Sequence, residues 1–108
     1  MDTAVHTERA KILSRFVDKD DWSINPAVFR EIDAKWAPHT IDRFASQYNT
    51  QTPRYNSKFA SPGCSGVDAL PQDWSRDNNW ICPPVDLIIH SVRLLMSVSG
   101  VGTLIVPE

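Results

Sequence analysis

The stretch NWICPPVDLIIHSVRLLMSVSGVGTLIV, residues 79–106, decides the fold. It opens with a strand pattern over residues 79–82, which a proline pair closes. Residues 85–99 carry apolar side chains at the three- and four-residue spacing of an amphipathic helix, and Gly100 is well placed to stop that helix. Residues 101–106 have the pattern of a buried strand. The stretch therefore predicts a β-α-β unit, in which a right-handed crossover joins two parallel strands.

A second helix is predicted upstream, over residues 26–36. Pro26 suits the first helical position because its missing N–H would have no partner there. Asn25 or Ser23 can cap this helix, and Pro38 ends it. One helical face carries the apolar side chains of Phe29, Ile32 and Trp36.

Residues 39–44 are rich in β-branched and aromatic side chains, which predicts a strand. Residues 45–77 hold many prolines, glycines and polar residues that break regular elements, with one short strand predicted near residues 55–59. A long loop in a compact domain is more often functional or mobile than idle. The element order predicts an α/β domain over residues 22–108. A sheet that ends on a newly formed buried strand lacks its later strands, so we expect a truncated Rossmann-like partial parallel sheet with flanking helices.

Length and composition narrow the class of protein. The chain has 108 residues, 42% of them hydrophobic, which suits one small domain with a modest core. Its net charge of −2 gives no basic excess of the kind that strong DNA binding uses. Cys64 and Cys82 lack metal-ligand spacing, so no metal site is predicted. We find no pattern of a signal peptide or membrane span, and expect a soluble intracellular protein of the cytoplasm or nucleus.

Residues 1–21 are mostly polar and are expected to form a leader, as a short helix or tether outside the core. Within it, Ala10-Lys-Ile-Leu-Ser-Arg15 is similar to the end of an RNase H region, which usually reads Ala-Asp-x-Leu-Ser-Arg. The aspartate there is a candidate metal ligand. Lys11 takes its place here, and a cation cannot ligate Mg²⁺. This chemistry excludes RNase H activity from these residues.

Several short motifs follow one another over residues 22–108: Asn25-Pro26, Asp42-Arg-Phe-Ala-Ser46, Asn49, Pro53-Arg-Tyr55, Asp73-Trp74 and Cys82-Pro83-Pro84-Val85. Their order and spacing resemble those of phage-type DNA N6-adenine methyltransferases. Those enzymes have a Pro-headed helix, an Asp-x-x-Ala-Ser-like turn, an Asn, a Pro-x-Tyr element, an Asp-Trp pair and an Asn-Pro-Pro-Tyr strand. The ordered set carries the resemblance, since no single piece is specific.

A closer resemblance rests on the string Pro-His-Thr-Ile-Asp-Arg-Phe-Ala-Ser at residues 38–46. It is joined by Pro53-Arg-Tyr-Asn-Ser57, Val67-Asp-Ala69, Asp73-Trp74 and Asn79-Trp80. These strings are similar to polyproteins of DIRS-like tyrosine-recombinase retrotransposons. In those polyproteins a methyltransferase-like segment follows the reverse transcriptase and RNase H. The resemblance implies that this chain is a fragment of such a polyprotein.

The resemblance to adenine methyltransferases also implies a pocket for S-adenosylmethionine at the C-terminal ends of the strands, where parallel sheets hold ligands. It assigns cofactor contacts to Asp42 at the end of the first strand and to Ala45, Ser46 and Asn49 in the turn after it. A carboxylate there suits the hydroxyl or ammonium groups of the cofactor. By sequence alone, a strand-end aspartate that caps a turn is the alternative for Asp42.

The catalytic motif is degenerate at residues 82–85. In the family an Asn or Asp and a proline carbonyl accept hydrogen bonds from the adenine amine, and the aromatic residue stacks on the flipped base. Cys82 and Val85 hold the first and last positions, around Pro83 and Pro84. A thiol is a weak hydrogen-bond acceptor. Valine has no aromatic face to stack on the base, and such stacking contributes about 1–3 kcal/mol per base. A nucleophilic Cys82 is a further alternative, but cytosine-C5 methyltransferases use the order Pro-Cys.

Three functions follow as expectations. The first is a non-catalytic remnant with weak or absent binding of S-adenosylmethionine. The second is a divergent, active methyltransferase of nucleic acid. The third is a non-catalytic module that holds nucleic acid, with Arg43, Arg54 and Lys58 as candidate phosphate contacts. His39 and His90 belong to no ligand motif and are expected to be structural or exposed. The four tryptophans are expected mainly in the core, with Trp74 or Trp80 as candidates for a pocket wall: Trp22, Trp36, Trp74 and Trp80.

Overall fold

The structure is a computed structural model that describes residues 4–10 and 24–107. Within these residues, four strands and two α-helices follow in the order β1 (Ala4–Ala10), α1 (Pro26–Trp36), β2 (Ile41–Asp42), β3 (Asn78–Ile81), α2 (Ile88–Ser97) and β4 (Val101–Pro107). A single 3-10 turn, Val85–Leu87, leads into α2. The strands are all parallel and lie in the spatial order β1-β4-β3-β2. The predicted α/β class and parallel sheet are confirmed.

The prediction for the N-terminal residues is wrong in the part that the structure describes. Residues 4–10, expected in a helix or tether outside the core, form β1 and pair along their whole length with β4. The sequence predicted a sheet that stops at β4 and lacks its later strands, whereas β1 occupies the place beside β4. The short polar stretch has no apolar periodicity of its own, so only its partner strand could reveal it. The RNase H-like residues 11–15, Trp22 and Ser23 lie outside the described residues.

Side chains of α1 hold β1 in place. The rings of His6 and Trp36 stack with centroids 3.5 Å apart. Glu8 accepts hydrogen bonds from the indole Nε1 of Trp36 and from Nζ of Lys35, both at 3.3 Å. These contacts add to the backbone pairing with β4 in holding an edge strand that has little apolar surface to bury.

The two helices cover opposite faces of the sheet, because alternate residues of a strand point to opposite sides. Trp80 and Cys82 pack on the α1 side, where the buried cluster is Ile24, Ile32, Trp80, Cys82 and Ile105. Ile81 packs on the α2 side with Ala69, Trp74, Leu95 and Leu104. Burial on both faces explains the continuous apolar run Leu104–Val106 in β4.

The end of α2 differs from its prediction in one detail. Ser99, and not Gly100, takes the left-handed conformation, with φ of 51°. The amides of Ser99 and Gly100 donate to the carbonyl oxygens of Met96 and Leu95 at 3.1 and 2.8 Å, which is the Schellman pattern. Gly100 is needed for space instead, since a Cβ there would lie 2.7 Å from Cδ1 of Leu95.

The long central segment is irregular, as predicted. β2 is shorter than the expected strand over residues 39–44, and the strand predicted near residues 55–59 is reduced to isolated bridges, Asp42 with Tyr55 and Ser57 with Val67. The helix predicted over residues 26–36 is confirmed, and the Asn25 side chain caps it by accepting from the amide of Ala27.

A buried chain of polar groups ties α1 to the sheet. The His39 ring bonds through Nδ1 to Oδ1 of Asp33 at 2.6 Å and through Nε2 to Oγ1 of Thr103, on β4, at 2.8 Å. Burial lowers the pKa of His39, against the opposing effect of Asp33, so the ring is neutral at pH 7. Thr103 is fully buried. The Asp33–His39–Thr103 hydrogen bonds therefore anchor α1 to the sheet and do not form a nucleophilic site.

Replacing Thr103 tests that anchor. Thr103→Val keeps the shape but leaves Nε2 of His39 buried without a partner, and we expect a loss of about 1–3 kcal/mol in the free energy of unfolding. Thr103→Ser keeps the hydroxyl and should lose less. Urea denaturation measures both variants, and equal stability of Thr103→Val and the wild type would contradict the role.

Candidate functional site

A cleft of about 690 Å³ opens beyond the carboxyl ends of β2 and β3. Its walls come from residues 43–48, residues 56–61, the pair Asp68 and Ala69, and Pro84, Asp86 and Leu87. Parallel sheets usually hold ligands at this edge, and the volume is that of small-molecule sites in general. The cleft is therefore the best candidate for a functional site within the described residues.

The floor of the cleft is organised by the buried guanidinium of Arg43, which is 2% exposed. Its nitrogens donate to Oδ1 of Asn79 at 2.7 Å, Oδ1 of Asn56 at 2.8 Å, the carbonyl oxygen of Asp73 at 2.8 Å and Oδ2 of Asp77 at 3.3 Å. Trp74 covers it, with the ring centroid 5.3 Å away. Burial lowers the pKa of Arg43 to about 10, so the side chain stays charged at neutral pH.

Asn79 and Asp77 extend this network to the rest of the sheet. The amide of Asn79 is fully buried and donates to the carbonyl oxygen of Val101 at 2.7 Å, which connects Arg43 to β4. Asp77 accepts from Arg54 at 2.6 Å and from Thr40 at 2.9 Å. Burial acts to raise the pKa of Asp77, but these hydrogen bonds and the nearby arginines hold it below its usual value.

A second, much smaller cavity lies on the α1 side of the sheet. It measures about 10 Å³, room for about one water molecule, and is lined by Ile24, Asp42, Phe44, Asn49, Gln51, Trp80 and Cys82. Oδ2 of Asp42 accepts from the amide of Gln51 at 3.0 Å, while Oδ1 has no hydrogen-bond partner in the described part of the chain. Burial raises the pKa of Asp42 to about 7.

The predicted cofactor residues are divided between these two spaces. Ala45 and Ser46 line the large cleft, whereas Asp42 and Asn49 line the small cavity. Phe44 borders both. The carboxylate that the resemblance assigns to S-adenosylmethionine therefore faces a space of about one water molecule. In this arrangement Asp42 does not fit a contact to a cofactor of that size.

Residues 82–85, which the resemblance assigns to catalysis, are also divided. Cys82 is 5% exposed and packs in the cluster on the α1 side. Burial raises its pKa well above the usual value, and the nearby Asp42 adds to this effect, so the thiol is protonated and suits neither thiolate attack nor a strong acceptor role. Pro84 lines the large cleft, Pro83 is buried, and Val85 is 55% exposed.

The other sequence candidates have structural places. Trp74 and Trp80 are core residues, and Trp80 also lines the small cavity. Arg43 and Arg54 are engaged with Asp77, while Lys58 lines the large cleft. His39 is buried and His90 is exposed. No group of three or more potential metal ligands occurs among residues 4–10 and 24–107.

No sequence signal marks several of the residues that shape the cleft. Tyr48 and Phe59, 90% and 73% exposed, lie along its wall, and they come from parts of the irregular segment without a pattern. Asn56 and Asn79, the two buried amides that hold Arg43, also had no predicted role. No local pattern marks Asn56 and Asn79 as buried, because their amide partners come from distant parts of the chain.

The sequence matches no known family model, no curated protein is significantly similar to it, and no solved structure matches its fold. None of the helices in the described ranges is long and apolar enough to cross a membrane.

Conservative replacement of Arg43 tests its role as organiser. Arg43→Lys keeps the charge but cannot reach four acceptors, so buried oxygens of Asn79 and Asn56 lose their donors, and we expect a loss of about 3 kcal/mol in the free energy of unfolding. Arg54→Lys is the matched control, because Arg54 is 55% exposed and an exposed pair contributes less than about 1 kcal/mol. Denaturant melts measure both, and equal losses would contradict the assignment.

Proposed function

We propose that this chain is a Rossmann-like, methyltransferase-type segment of a retroelement polyprotein that does not transfer methyl groups. The parentage is supported by the resemblance in residues 38–46 and in the short strings that follow it. The Rossmann-like arrangement is supported by the parallel sheet, which has a helix on each face and a cleft at the carboxyl ends of its strands.

The burial of Cys82 is the observation that carries this proposal. In the family, that position presents an acceptor to the adenine amine. Here a protonated thiol is packed in the core on the α1 side, away from the walls of the large cleft. Even a chain that bound the base in the cleft would lack the positioned acceptor, and loss of one positioned electrostatic group costs about 10²–10³ in rate.

The absence of a fitting cofactor contact adds to this argument. Asp42 is the acidic residue that the resemblance provides for S-adenosylmethionine, and Phe44 separates it from the large cleft. Both requirements of the reaction, a held cofactor and an activated amine, are therefore unmet by the residues assigned to them.

Methyl transfer and cofactor binding test the proposal together. We expect purified protein to incorporate no label from methyl-labelled S-adenosylmethionine into duplex DNA, single-stranded DNA or RNA above a protein-free control. Calorimetry with S-adenosylmethionine should give no heat of binding, because Asp42 is closed off. Far-UV circular dichroism confirms that the tested sample is folded. Label incorporation that depends on protein concentration would overturn the proposal in favour of an active, divergent methyltransferase.

A second candidate function is a module that holds unpaired nucleic acid, favoured by the aromatic side chains of the cleft. Tyr48 and Phe59 present exposed ring faces there, and such faces stack on any base. Lys58 is the cationic residue beside them, its Nζ 5.7 Å from the Phe59 ring centroid. Asp68 and Asp86 also line the cleft and would repel phosphates, so this geometry favours contacts with bases over contacts with the backbone.

Aromatic replacements test this second function. If a single-stranded oligonucleotide binds in the cleft, Tyr48→Ala and Phe59→Ala should each weaken binding by about 5- to 150-fold, the equivalent of one lost stack. Met96→Ala on α2 is the control, since that side chain is exposed but lies outside the cleft lining. Fluorescence anisotropy at two salt concentrations measures all three. Equal affinity of the aromatic variants and the control would exclude base stacking in the cleft.

A further inference from the structure

Asp42 has an unusual position at the junction of the sheet and the irregular segment. Its side chain is 3% exposed, yet Oδ1 has no hydrogen-bond partner among the described residues. Oδ2 accepts a hydrogen bond from the amide of Gln51 at 3.0 Å, and the backbone of Phe44 also favours the charged form. The main chain of Asp42 also bonds to residues on either side of Tyr55. Its amide donates to the carbonyl oxygen of Arg54, and its carbonyl oxygen accepts from the amide of Asn56.

No cation balances this carboxylate within the described residues. The groups that line the small cavity with it are apolar side chains, the amides of Asn49 and Gln51, and the thiol of Cys82 from the end of β3. His39 lies behind the Trp80 ring, with ring centroids 5.1 Å apart. Arg43 packs on the opposite face of the sheet against Trp74 and pairs with Asp77. Among the described residues, an ionised Asp42 is therefore stabilised by backbone amides and not by a cation.

We propose that proton uptake and release at Asp42 switches the order of residues 44–51, and with it the wall of the large cleft. The link is geometric. Phe44 borders both the small cavity that holds the Asp42 carboxylate and the large cleft, and residues 45–48 continue along the cleft wall. A change in the strength of the bonds to Phe44 and Gln51 is therefore transmitted to residues that line the cleft.

The two protonation states differ in what they stabilise. The ionised carboxylate accepts charge-assisted hydrogen bonds, which are about twice as strong as neutral ones, and holds the Phe44 and Gln51 amides firmly. The neutral acid holds them less strongly but avoids the cost of a buried charge, and its hydroxyl can donate into the cavity. Because burial raises the pKa of Asp42 to about 7, the exchange between the two states falls in the neutral range.

The consequence for stability has a definite sign. A folded-state pKa above the ordinary value of 3.8 contributes stability that is complete below about pH 4 and is lost as the pH rises through about 7. Asp42→Asn imitates the neutral acid and keeps one acceptor oxygen. Its gain in stability over the wild type should therefore grow between pH 4 and pH 8, and this difference cancels the contributions of other titrating groups.

Nuclear magnetic resonance on the ligand-free chain tests the switch directly. We expect the carboxyl carbon of Asp42 and the amides of Phe44 and Gln51 to titrate with a common midpoint near pH 7. The Gln51 amide should lose protection from hydrogen exchange by about five- to tenfold on the acidic side. These amide transitions should vanish in Asp42→Asn and persist in Glu31→Gln, an exposed control on α1, and in Cys82→Ala, which removes the neighbouring thiol.

Two results would overturn the proposal. One is a midpoint of the Asp42 carboxyl carbon below about pH 5, which the wild-type chain alone can show, even where Asp42→Asn fails to fold. The other is an amide transition that persists in Asp42→Asn, which would assign the titration to His39 or another group. Neither result depends on methyl transfer or on any ligand. The protonation switch and the proposed function are therefore tested independently.

Discussion

The buried guanidinium of Arg43 is the interaction on which the structure depends. It comes directly after the two-residue strand β2, and its nitrogens reach acceptors on β3 and on both ends of the irregular segment. A buried cation needs a full set of partners, because leaving one unmet costs more than the contact itself contributes. The need to satisfy Arg43 therefore fixes the path of a long segment that has almost no regular secondary structure.

That path creates two spaces with different chemistry. On the α2 side and beyond the carboxyl ends of the strands, the segment leaves an open cleft with aromatic and polar walls. On the α1 side it closes over Asp42 and leaves a cavity the size of one water molecule. Phe44 separates the two. A residue that the sequence motif assigns to a ligand thus becomes a buried group whose partners are backbone amides of the loop.

Residues 82–85 follow the same division. The prolines keep the chain direction after β3, because a proline pair cannot continue a strand, and Pro84 still borders the cleft. Cys82 points from the end of β3 into the core, where a small apolar thiol packs well. A buried cysteine at this position suits the core packing and, being protonated, offers only a weak acceptor.

The sequence by itself determined the β-α-β unit of residues 79–106, the helix at Pro26–Trp36 and the irregularity between them, because periodicity, caps and prolines act locally. Only the tertiary structure decided the rest. The strand β1 could not be predicted from its own residues, because a short polar strand acquires its conformation by pairing with its partner, here β4. The separation of Asp42 and Asn49 from Ala45 and Ser46 depended on Arg43 and Phe44, since neighbours in sequence at a strand end can face opposite sides of a sheet. Motif spacing records order along the chain and carries no information on which side of Phe44 each residue lies.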